Sequence, residues 1–235
     1  MTSNPLAEAL EEAFRRCCGM DASLAERLQA FAEAVQKLSP PFAETVDRLV
    51  LRLEQNEAGA SAPRLGDLMP PFALPDEEGR VVTLDSLLSE GPVAVTFHRG
   101  HWCPYCRINT NALVKAQKEI AAENGQIIAV MPDRQQFAME FKSESDASFP
   151  VLTDLDNGYA LSLNLVIWLG EEMVRFISAA GLDIPKYQGN DSWMVPIPAT
   201  FVVGRDGRVK ARFVDPDYRK RMAIEDLISA LRDAL

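Results

Sequence analysis

The sequence is poor in basic residues, cysteine and histidine. Lysine and arginine together number 24 against 34 acidic residues, which gives a formal net charge of -10 at neutral pH. We expect no nucleic-acid partner, because binding a phosphate backbone requires an excess of positive side chains. The four cysteines, in two close pairs, are too few for the disulfide framework of a small secreted protein.

Long apolar runs are also missing. No stretch is long enough to cross a membrane, and residues 1–20 lack the basic start and apolar core of a signal peptide. A hydrophobic fraction of 47% with 25% charged residues is typical of a globular protein. We therefore expect a cytoplasmic protein with no membrane partner.

The chain is predicted to consist of an N-terminal helical region, residues 1–60, and a larger domain, residues 61–235. From Asn4 to residue 54, apolar residues recur at the spacing of amphipathic helices. The run Ser39-Pro40-Pro41 interrupts this pattern and predicts a helical hairpin. Residues 56–63 are small and polar, which is typical of a linker.

Beyond the linker, short apolar runs alternate with helical patterns, which indicates an α/β domain. The runs that we interpret as strands are residues 93–97, 127–130, 200–203 and 209–213, the last two forming a hairpin. Helices are predicted at residues 103–122, 135–142 and 161–180, and from residue 217 onwards. The helix at 161–180 is interpreted as an insertion that covers the site or binds a partner.

The segment Trp102-Cys103-Pro104-Tyr105-Cys106-Arg107 joins a predicted strand to a predicted helix. Pro104 suits the first helical position, so Cys103 caps the helix, where the backbone N–H groups and the helix dipole favour a thiolate. Cys106 lies one turn on and on the same face, so the two sulfurs are able to form a disulfide. We interpret Cys103 and Cys106, the Cys pair, as redox-active; a zinc site or two inert thiols are the alternatives.

Four further residues near or outside this segment have weaker interpretations. His98 and His101 are the only histidines and lie just before Cys103, where they are candidates to tune its thiolate. With the Cys pair they make four zinc ligands, but a strand end and a helix turn are a poor tetrahedral site, so we expect no metal. Cys17 and Cys18 are adjacent and point in different directions, so an inert pair is expected and a resolving or intersubunit role is the alternative.

Three motifs occur in order around the Cys pair. They are Gly66-Asp67-Leu68-Met69-Pro70-Pro71-Phe72-Ala73-Leu74-Pro75, then Phe97-His98-Arg99-Gly100, then Pro198-Ala199-Thr200-Phe201-Val202-Val203. From about residue 65 to residue 235 the chain resembles the peroxiredoxin-like (alkyl hydroperoxide reductase/thiol-specific antioxidant) proteins of the thioredoxin superfamily. The resemblance implies a thioredoxin-like three-layer α/β fold with a central mixed sheet, preceded here by a small N-terminal helical region.

The chain departs from this family at the attacking sulfur. Typical members carry Thr or Ser three residues before the peroxidatic cysteine, and in that register Cys106 is the nucleophile. The register of thioredoxins makes Cys103 the nucleophile instead. The cap position gives a weak preference for Cys103, and both assignments stay open on the sequence alone.

A second departure lies just before Ala199. Typical members place an arginine there that stabilises the thiolate, whereas this chain has Pro198, which is similar to the cis-proline of thioredoxins. We therefore predict a cis Ile197–Pro198 bond beside the Cys pair. Arg99 and Arg107 are candidates to supply the positive charge, and Trp102, Pro104, Tyr105 and His101 are expected to shape and shield the site.

The resemblance implies a thiol-dependent peroxidase that reduces hydrogen peroxide or organic hydroperoxides. It passes through a cysteine sulfenic acid and a Cys103–Cys106 disulfide, and a thioredoxin- or glutaredoxin-type dithiol reduces it again, with no cofactor. The alternatives are a thioredoxin- or glutaredoxin-like protein disulfide reductase and a non-enzymatic redox-sensing interaction protein. A homodimer formed through the helical region is a further hypothesis.

Overall fold

The computed structural model describes residues 5–234, so Asn4 at the start of the predicted helical region lies outside the described residues. Three helices open the described chain: α1 (Pro5–Gly19), α2 (Leu24–Leu38) and α3 (Pro40–Gln55). Ser23 begins α2 with a capping box, in which its side chain accepts from the Glu26 N–H and the Glu26 carboxylate accepts from the Ser23 N–H. The predicted hairpin of α2 and α3 is confirmed.

The larger region alternates strands and helices, as predicted. Its strands are β1 (Ala73–Pro75), β2 (Val81–Thr83), β3 (Val93–Phe97), β4 (Gln126–Met131), β5 (Val151–Thr153), β6 (Val166–Trp168), β7 (Met194–Pro196), β8 (Ala199–Val203) and β9 (Val209–Val214). Its helices are α4 (Leu84–Glu90), α5 (Pro104–Ala122), α6 (Gln135–Ser145), α7 (Gly158–Ser162), α8 (Glu171–Ala179), α9 (Ile184–Gln188) and α10 (Ile224–Asp233). No helix within residues 5–234 is both long and apolar enough to cross a membrane.

Five strands form the central sheet in the order β5-β4-β3-β8-β9. The sheet is mixed, because β3 runs parallel to β4 and antiparallel to β8. Every residue of β3 is buried, as expected for a strand covered on both faces. The face that carries Val95 packs on α4 and α7, and the opposite face, which carries Ala94, packs on α5, α6 and α10. The predicted three-layer arrangement is confirmed.

The N-terminal helices α1, α2 and α3, here called the helical cover, pack on the beginning of α5. Their buried residues share one core with Cys103, Tyr105 and Cys106. A buried arginine, Arg27, fixes this contact: its guanidinium donates to the Cys17 carbonyl at 2.8 Å and to the Asn111 side chain of α5 at 2.6 Å. The helical cover therefore lies directly over the end of α5 that carries the Cys pair.

The last helix begins later than the sequence predicts. Instead of starting near Asp217, α10 starts at Ile224. Residues 215–221, here called the 215–221 segment, form turns in which the Asp215 side chain accepts from the Asp217 N–H and the Asp217 side chain accepts from the Arg219 N–H. Such side-chain bonds to the backbone compete with helical hydrogen bonds, so the segment stays irregular.

The prediction of one helix over residues 161–180 is also wrong. A short strand, β6, interrupts it and pairs antiparallel with β7, and beyond that strand only α8 lies within the predicted range. Gly170 precedes α8 with a φ of 88°, a conformation that favours glycine and prevents a continuous helix. By contrast, the predicted β8–β9 hairpin around Gly204-Arg205-Asp206-Gly207 is confirmed.

Candidate active site

The loop between β3 and α5 carries the first of the two reactive cysteines. The Cys103 N–H donates to the Gly100 carbonyl at 3.2 Å, and α5 begins at Pro104, so Cys103 caps the helix as predicted. Gly100 has a φ of 143°, and an added Cβ there would collide with Trp102 Nε1 and lie 2.7 Å from Asp133 Oδ1. Only glycine therefore lets the Trp102 and Asp133 side chains close on this loop.

The sulfurs of the Cys pair lie together, out of contact with solvent. Cys103 is 1% exposed and Cys106 is 0% exposed, and the two side chains interact so that each shifts the pKa of the other. The Cys106 sulfur accepts from the Arg99 backbone N–H at 3.3 Å and from the Arg221 guanidinium at 3.3 Å. Two positively charged residues thus lie at the Cys pair, and one of them is bonded to it through its side chain.

These surroundings separate the acidities of the two thiols. Burial alone raises the pKa of Cys103, but the Cys106 hydrogen bond and the positive charges of Arg99 and Arg221 outweigh burial, and the pKa of Cys103 falls well below its usual value. Burial and the neighbouring Cys103 raise the pKa of Cys106 well above its usual value. These directions favour the thiolate on Cys103, whereas the two N–H donors bonded to the Cys106 sulfur are the observation that favours Cys106.

Both arginines are held close to the Cys pair by neighbouring groups. The Arg99 guanidinium lies 3.9 Å from the ring centre of Tyr218 and 5.0 Å from that of Trp102. The Arg221 guanidinium donates to the carbonyls of Tyr218 and Lys220 at 2.6 and 2.7 Å. Neutral rings and carbonyls hold these cations without cancelling their charge, which leaves that charge to act on the sulfurs. Arg99 is a predicted site residue, whereas Arg221 was missed.

Aromatic rings close the site from the side of the helical cover. Tyr105 is buried and packs edge-on against Phe31 of α2 at 5.1 Å and against Tyr218 at 5.4 Å between ring centres. The predicted shielding role of Tyr105 thus depends on two residues that the motif does not contain. An apolar cover of this kind excludes water and strengthens the electrostatic effect of the nearby arginines.

The AhpC/TSA family matches residues 65–212, which is more than half of the chain. The chain belongs to this family. A search of the curated proteins finds no match. The helical cover and the 215–221 segment lie outside the matched residues. Family membership supports a thiol peroxidase with the thioredoxin fold.

Solved structures agree with this assignment at the level of the fold. The peroxidoxin BcpB from Mycobacterium tuberculosis is 20% identical, with a TM-score of 0.57 over 74% of this chain and 99% of that one. A cysteine-to-serine mutant of peroxiredoxin 6 from Arenicola marina is 15% identical, with a TM-score of 0.55 over 72% and 71%. A yeast mitochondrial 1-Cys peroxiredoxin is 16% identical, with a TM-score of 0.52 over 70% and 73%. The predicted thioredoxin-like fold is confirmed.

Two of the candidate site residues in this AhpC/TSA protein face away from the sulfurs. Arg107 forms an ion pair with Glu11 of α1 at 3.1 Å, and its guanidinium lies over the Phe14 ring. The His101 Nε2 lies 2.8 Å from the Glu144 carboxylate of α6. Arg107 therefore holds the helical cover, and the positive charge at the sulfurs comes from other residues.

The predicted cis bond at Pro198 is wrong, because every peptide bond within residues 5–234 is trans. The Ile197 N–H donates to the Leu165 carbonyl at 2.7 Å, and Ala199 begins β8 opposite Phe97. Pro198 thus lies in the two-residue connection between β7 and β8. Pro198 is buried where the loop to Cys103 leaves the sheet.

Burial favours the uncharged forms of the remaining histidine and cysteine candidates. Burial, together with the charge of Arg221, lowers the pKa of His98 to about 3, so its ring is uncharged. Burial raises the pKa of both Cys17 and Cys18, which disfavours their thiolates. The described part of the chain has no group of three or more His, Cys, Asp or Glu side chains that could hold a metal ion.

The sequence interpretation missed an acidic residue beside the active-site loop. Asp133 follows β4 and is 0% exposed, and its Oδ2 accepts from the His101 N–H at 2.6 Å. Burial raises the pKa of Asp133 to about 7, and the negative charge of Cys103 adds to this effect. A signal did exist: parallel strands end at the same edge of a sheet, and Asp133 follows the buried run next to β3. Tyr218 and Arg221 had no comparable signal.

Proposed function

We propose that this AhpC/TSA protein is a thiol-dependent peroxidase that reduces hydrogen peroxide or organic hydroperoxides. The observation that carries the proposal is that the two buried cysteines, one helical turn apart, differ in acidity: the pKa of Cys103 is lowered and the pKa of Cys106 is raised. A peroxidase needs a thiolate to attack and a second thiol to resolve the product. The cysteines supply both groups without a cofactor.

The chemistry begins when the Cys103 thiolate attacks a peroxide oxygen. A sulfur–oxygen bond forms, the oxygen–oxygen bond breaks, and the sulfur loses the two electrons that the peroxide gains. The positive charges of Arg99 and Arg221 are placed to stabilise the negative charge that develops on the leaving oxygen. The Cys106 sulfur then displaces water from the Cys103 sulfenic acid, and the Cys103–Cys106 disulfide forms.

The assignment of Cys103 as the nucleophile goes against the usual register of the family. That register makes Cys106 the attacking residue, yet Cys106 lies inside the helix with a raised pKa. Cys103 occupies the helix cap, where the backbone N–H groups and the helix dipole favour a thiolate. The cap position and the lowered pKa support Cys103, against the two N–H donors that bond to the Cys106 sulfur.

A dithiol donor of the thioredoxin or glutaredoxin type is the proposed reductant, and the cytoplasm is the proposed location. The yeast mitochondrial 1-Cys peroxiredoxin is described as resolved through glutathione and thioredoxin systems, which supports this class of donor. The low cysteine count supports a reducing compartment. A homodimer remains a separate hypothesis, for which light scattering is the test.

Stopped-flow oxidation by peroxide, with chemical trapping of sulfenic acid, tests the function. Wild type and Cys106→Ser should react at similar rates, and the trapped sulfenic acid should be on Cys103. Cys103→Ser should react slower by about three orders of magnitude, because the nucleophile is gone. Cys18→Ser, a half-buried thiol outside the site, is the matched control and should behave as wild type.

Two outcomes would contradict the proposal in different ways. If wild type and both active-site variants react no faster than an ordinary free thiol, the protein is not a peroxidase. If Cys103→Ser reacts normally and Cys106→Ser does not, the function stands and the nucleophile is Cys106.

Protein disulfide reduction is the second candidate, because a thiolate and a neutral thiol one turn apart also suit thiol–disulfide exchange. Two features of the sequence favoured this alternative: the predicted cis bond at Pro198, which the structure shows as trans, and the missing arginine before Ala199, which stands. Catalysed reduction of insulin disulfides, compared with peroxide reduction by the same preparation, separates the two activities. We expect peroxide to be the faster substrate.

A further inference from the structure

The two oxygens of the buried Asp133 carboxyl differ in their hydrogen bonding. Oδ2 accepts from the His101 backbone N–H at 2.6 Å. Oδ1 is buried without a hydrogen-bond partner among the described residues and faces the loop at Gly100. An ionised carboxylate with one bare oxygen is costly to bury, whereas a protonated carboxyl carries no charge.

The surroundings of Asp133 offer little positive charge. The titratable groups placed around it are Cys103, His101 and Tyr187, and the His101 ring is already bound to Glu144. The neighbouring Arg134 turns away, since its guanidinium donates to the Lys186 carbonyl at 2.9 Å. Cys103, whose negative charge raises the pKa of Asp133, is thus the neighbouring group that changes charge during the proposed reaction.

Cys103 and Asp133 are also linked through the backbone of one loop. The Cys103 N–H donates to the Gly100 carbonyl, and the N–H of His101, the residue after Gly100, donates to the Asp133 carboxyl. Each negative charge opposes the other, because the Cys103 thiolate raises the pKa of Asp133. Two negative charges on this loop are therefore unfavourable together.

We propose that Cys103 and Asp133 carry a single negative charge between them, on the sulfur when Cys103 is reduced and on the carboxylate when it is oxidised. The inference rests on the proposed redox function of the Cys pair and adds to it the group that holds the proton. Asp133 is therefore a positioning residue, because its protonation state determines where the negative charge lies. It acts on the reaction through Cys103.

The proton balance of the cycle follows from this exchange. Attack by the thiolate on a hydroperoxide gives the sulfenic acid and an alkoxide, and the alkoxide becomes the alcohol with the proton that Asp133 releases. Cys106 then forms the disulfide, its thiol proton leaving with the hydroxide as water. When a donor dithiol reduces the disulfide, Cys103 regains its thiolate state as its proton returns to the Asp133 carboxylate.

Infrared difference spectroscopy of the reduced and oxidised protein tests the proposal. The carbonyl band of a protonated carboxylic acid should be present in the reduced wild type, disappear on oxidation, and be absent from both states of Asp133→Asn. Asn keeps a side-chain acceptor for the His101 N–H, so the loop geometry is preserved. Asp154→Asn is the matched control, because both oxygens of that buried carboxyl accept backbone N–H bonds, and this variant should keep the redox-linked band.

Proton uptake gives a second readout that does not depend on peroxide. Glutathione disulfide converts the Cys pair to its disulfide, and a pH indicator counts the protons taken from the medium at about pH 6, below the Asp133 pKa. Wild type should take up none, because Asp133 supplies the proton, and Asp133→Asn should take up one per disulfide formed.

The proposal is overturned if wild type takes up one proton as well, or if its infrared band is unchanged by oxidation. These results leave the peroxidase assignment intact, because both measurements use any oxidant that closes the Cys pair. Failure of the stopped-flow peroxide test would conversely leave the shared charge of Cys103 and Asp133 intact. The two hypotheses therefore fail separately.

Discussion

The two sides of the Cys pair are built from different parts of the chain. On one side, the ends of β3 and β4 bring Arg99 and Asp133 to the loop, all within the residues that match the AhpC/TSA family. On the other side, the helical cover and the 215–221 segment bring Phe31, Tyr218 and Arg221 from outside that match. The family fold thus presents the reactive loop, and the chain's additional segments bury it and add a second positive charge.

The physical consequence is a division of roles. The strand-end side supplies groups that exchange protons, because Cys103 and the buried carboxyl of Asp133 respond to each other's charge. The cover side supplies groups that do not titrate near neutral pH, namely aromatic rings and a guanidinium. Substitutions on the two sides should therefore change different observables.

The largest effect is expected from opening the cover side at Phe31. This residue is 2% exposed and packs on Tyr105, so Phe31→Ala leaves a cavity and should lower the free energy of unfolding by about 3–5 kcal/mol. Denaturant unfolding measures the loss, and thiol labelling of the native protein should also become faster.

The matched control for Phe31 is Leu51→Ala in α3, since Leu51 is 53% exposed and its removal should cost about 0.5 kcal/mol or less. Equal losses for the two variants would show that the helical cover is not packed on the site.

A smaller effect, specific to the strand-end side, is expected in the pH dependence of stability. The folded-state pKa of Asp133, about 7, lies above the value of about 3.9 in an unfolded chain. Its contribution is therefore fully present below about pH 4 and is lost as the pH rises towards 7. Relative to wild type, Asp133→Asn should gain about 2–4 kcal/mol of unfolding free energy between these limits.

Unfolding at a series of pH values gives this difference directly. Glu172→Gln is the control, because the exposed Glu172 is bonded to Arg48 and its pKa is lowered, so its effect is confined to more acidic pH. A pH-independent difference between Asp133→Asn and wild type would mean that Asp133 is ionised in the folded protein throughout.

The difference between the two sides of the Cys pair also explains which of its features could be predicted from the sequence. Local signals were sufficient to predict the cap at Cys103, the strand β3 that precedes it, and the β8–β9 hairpin, because each depends on neighbouring residues. They failed at Arg221, which reaches the Cys106 sulfur across 115 residues of chain. They also failed at Pro198, where a proline pattern shared with thioredoxins does not determine the bond isomer once β7 and β8 fix the backbone path.

The smallest of the three effects compares one arginine from each side. Arg221→Met and Arg99→Met each remove a positive charge near Cys103, so each should raise the pKa of Cys103, by about one unit for Arg221 and by more for Arg99. One unit corresponds to about 1.4 kcal/mol of lost thiolate stabilisation. The ultraviolet absorbance of the thiolate, followed against pH and corrected with Cys103→Ser, measures the shift.

Arg219→Met is the control for this comparison, because Arg219 lies in the same segment but is paired with Asp217 and Asp47. It should leave the thiolate titration unchanged, since its charge is already neutralised. If Arg219→Met and Arg221→Met shift the pKa equally, the segment acts through its packing. If only Arg221→Met and Arg99→Met shift the pKa of Cys103, the cover side acts on the thiolate through the charge of Arg221.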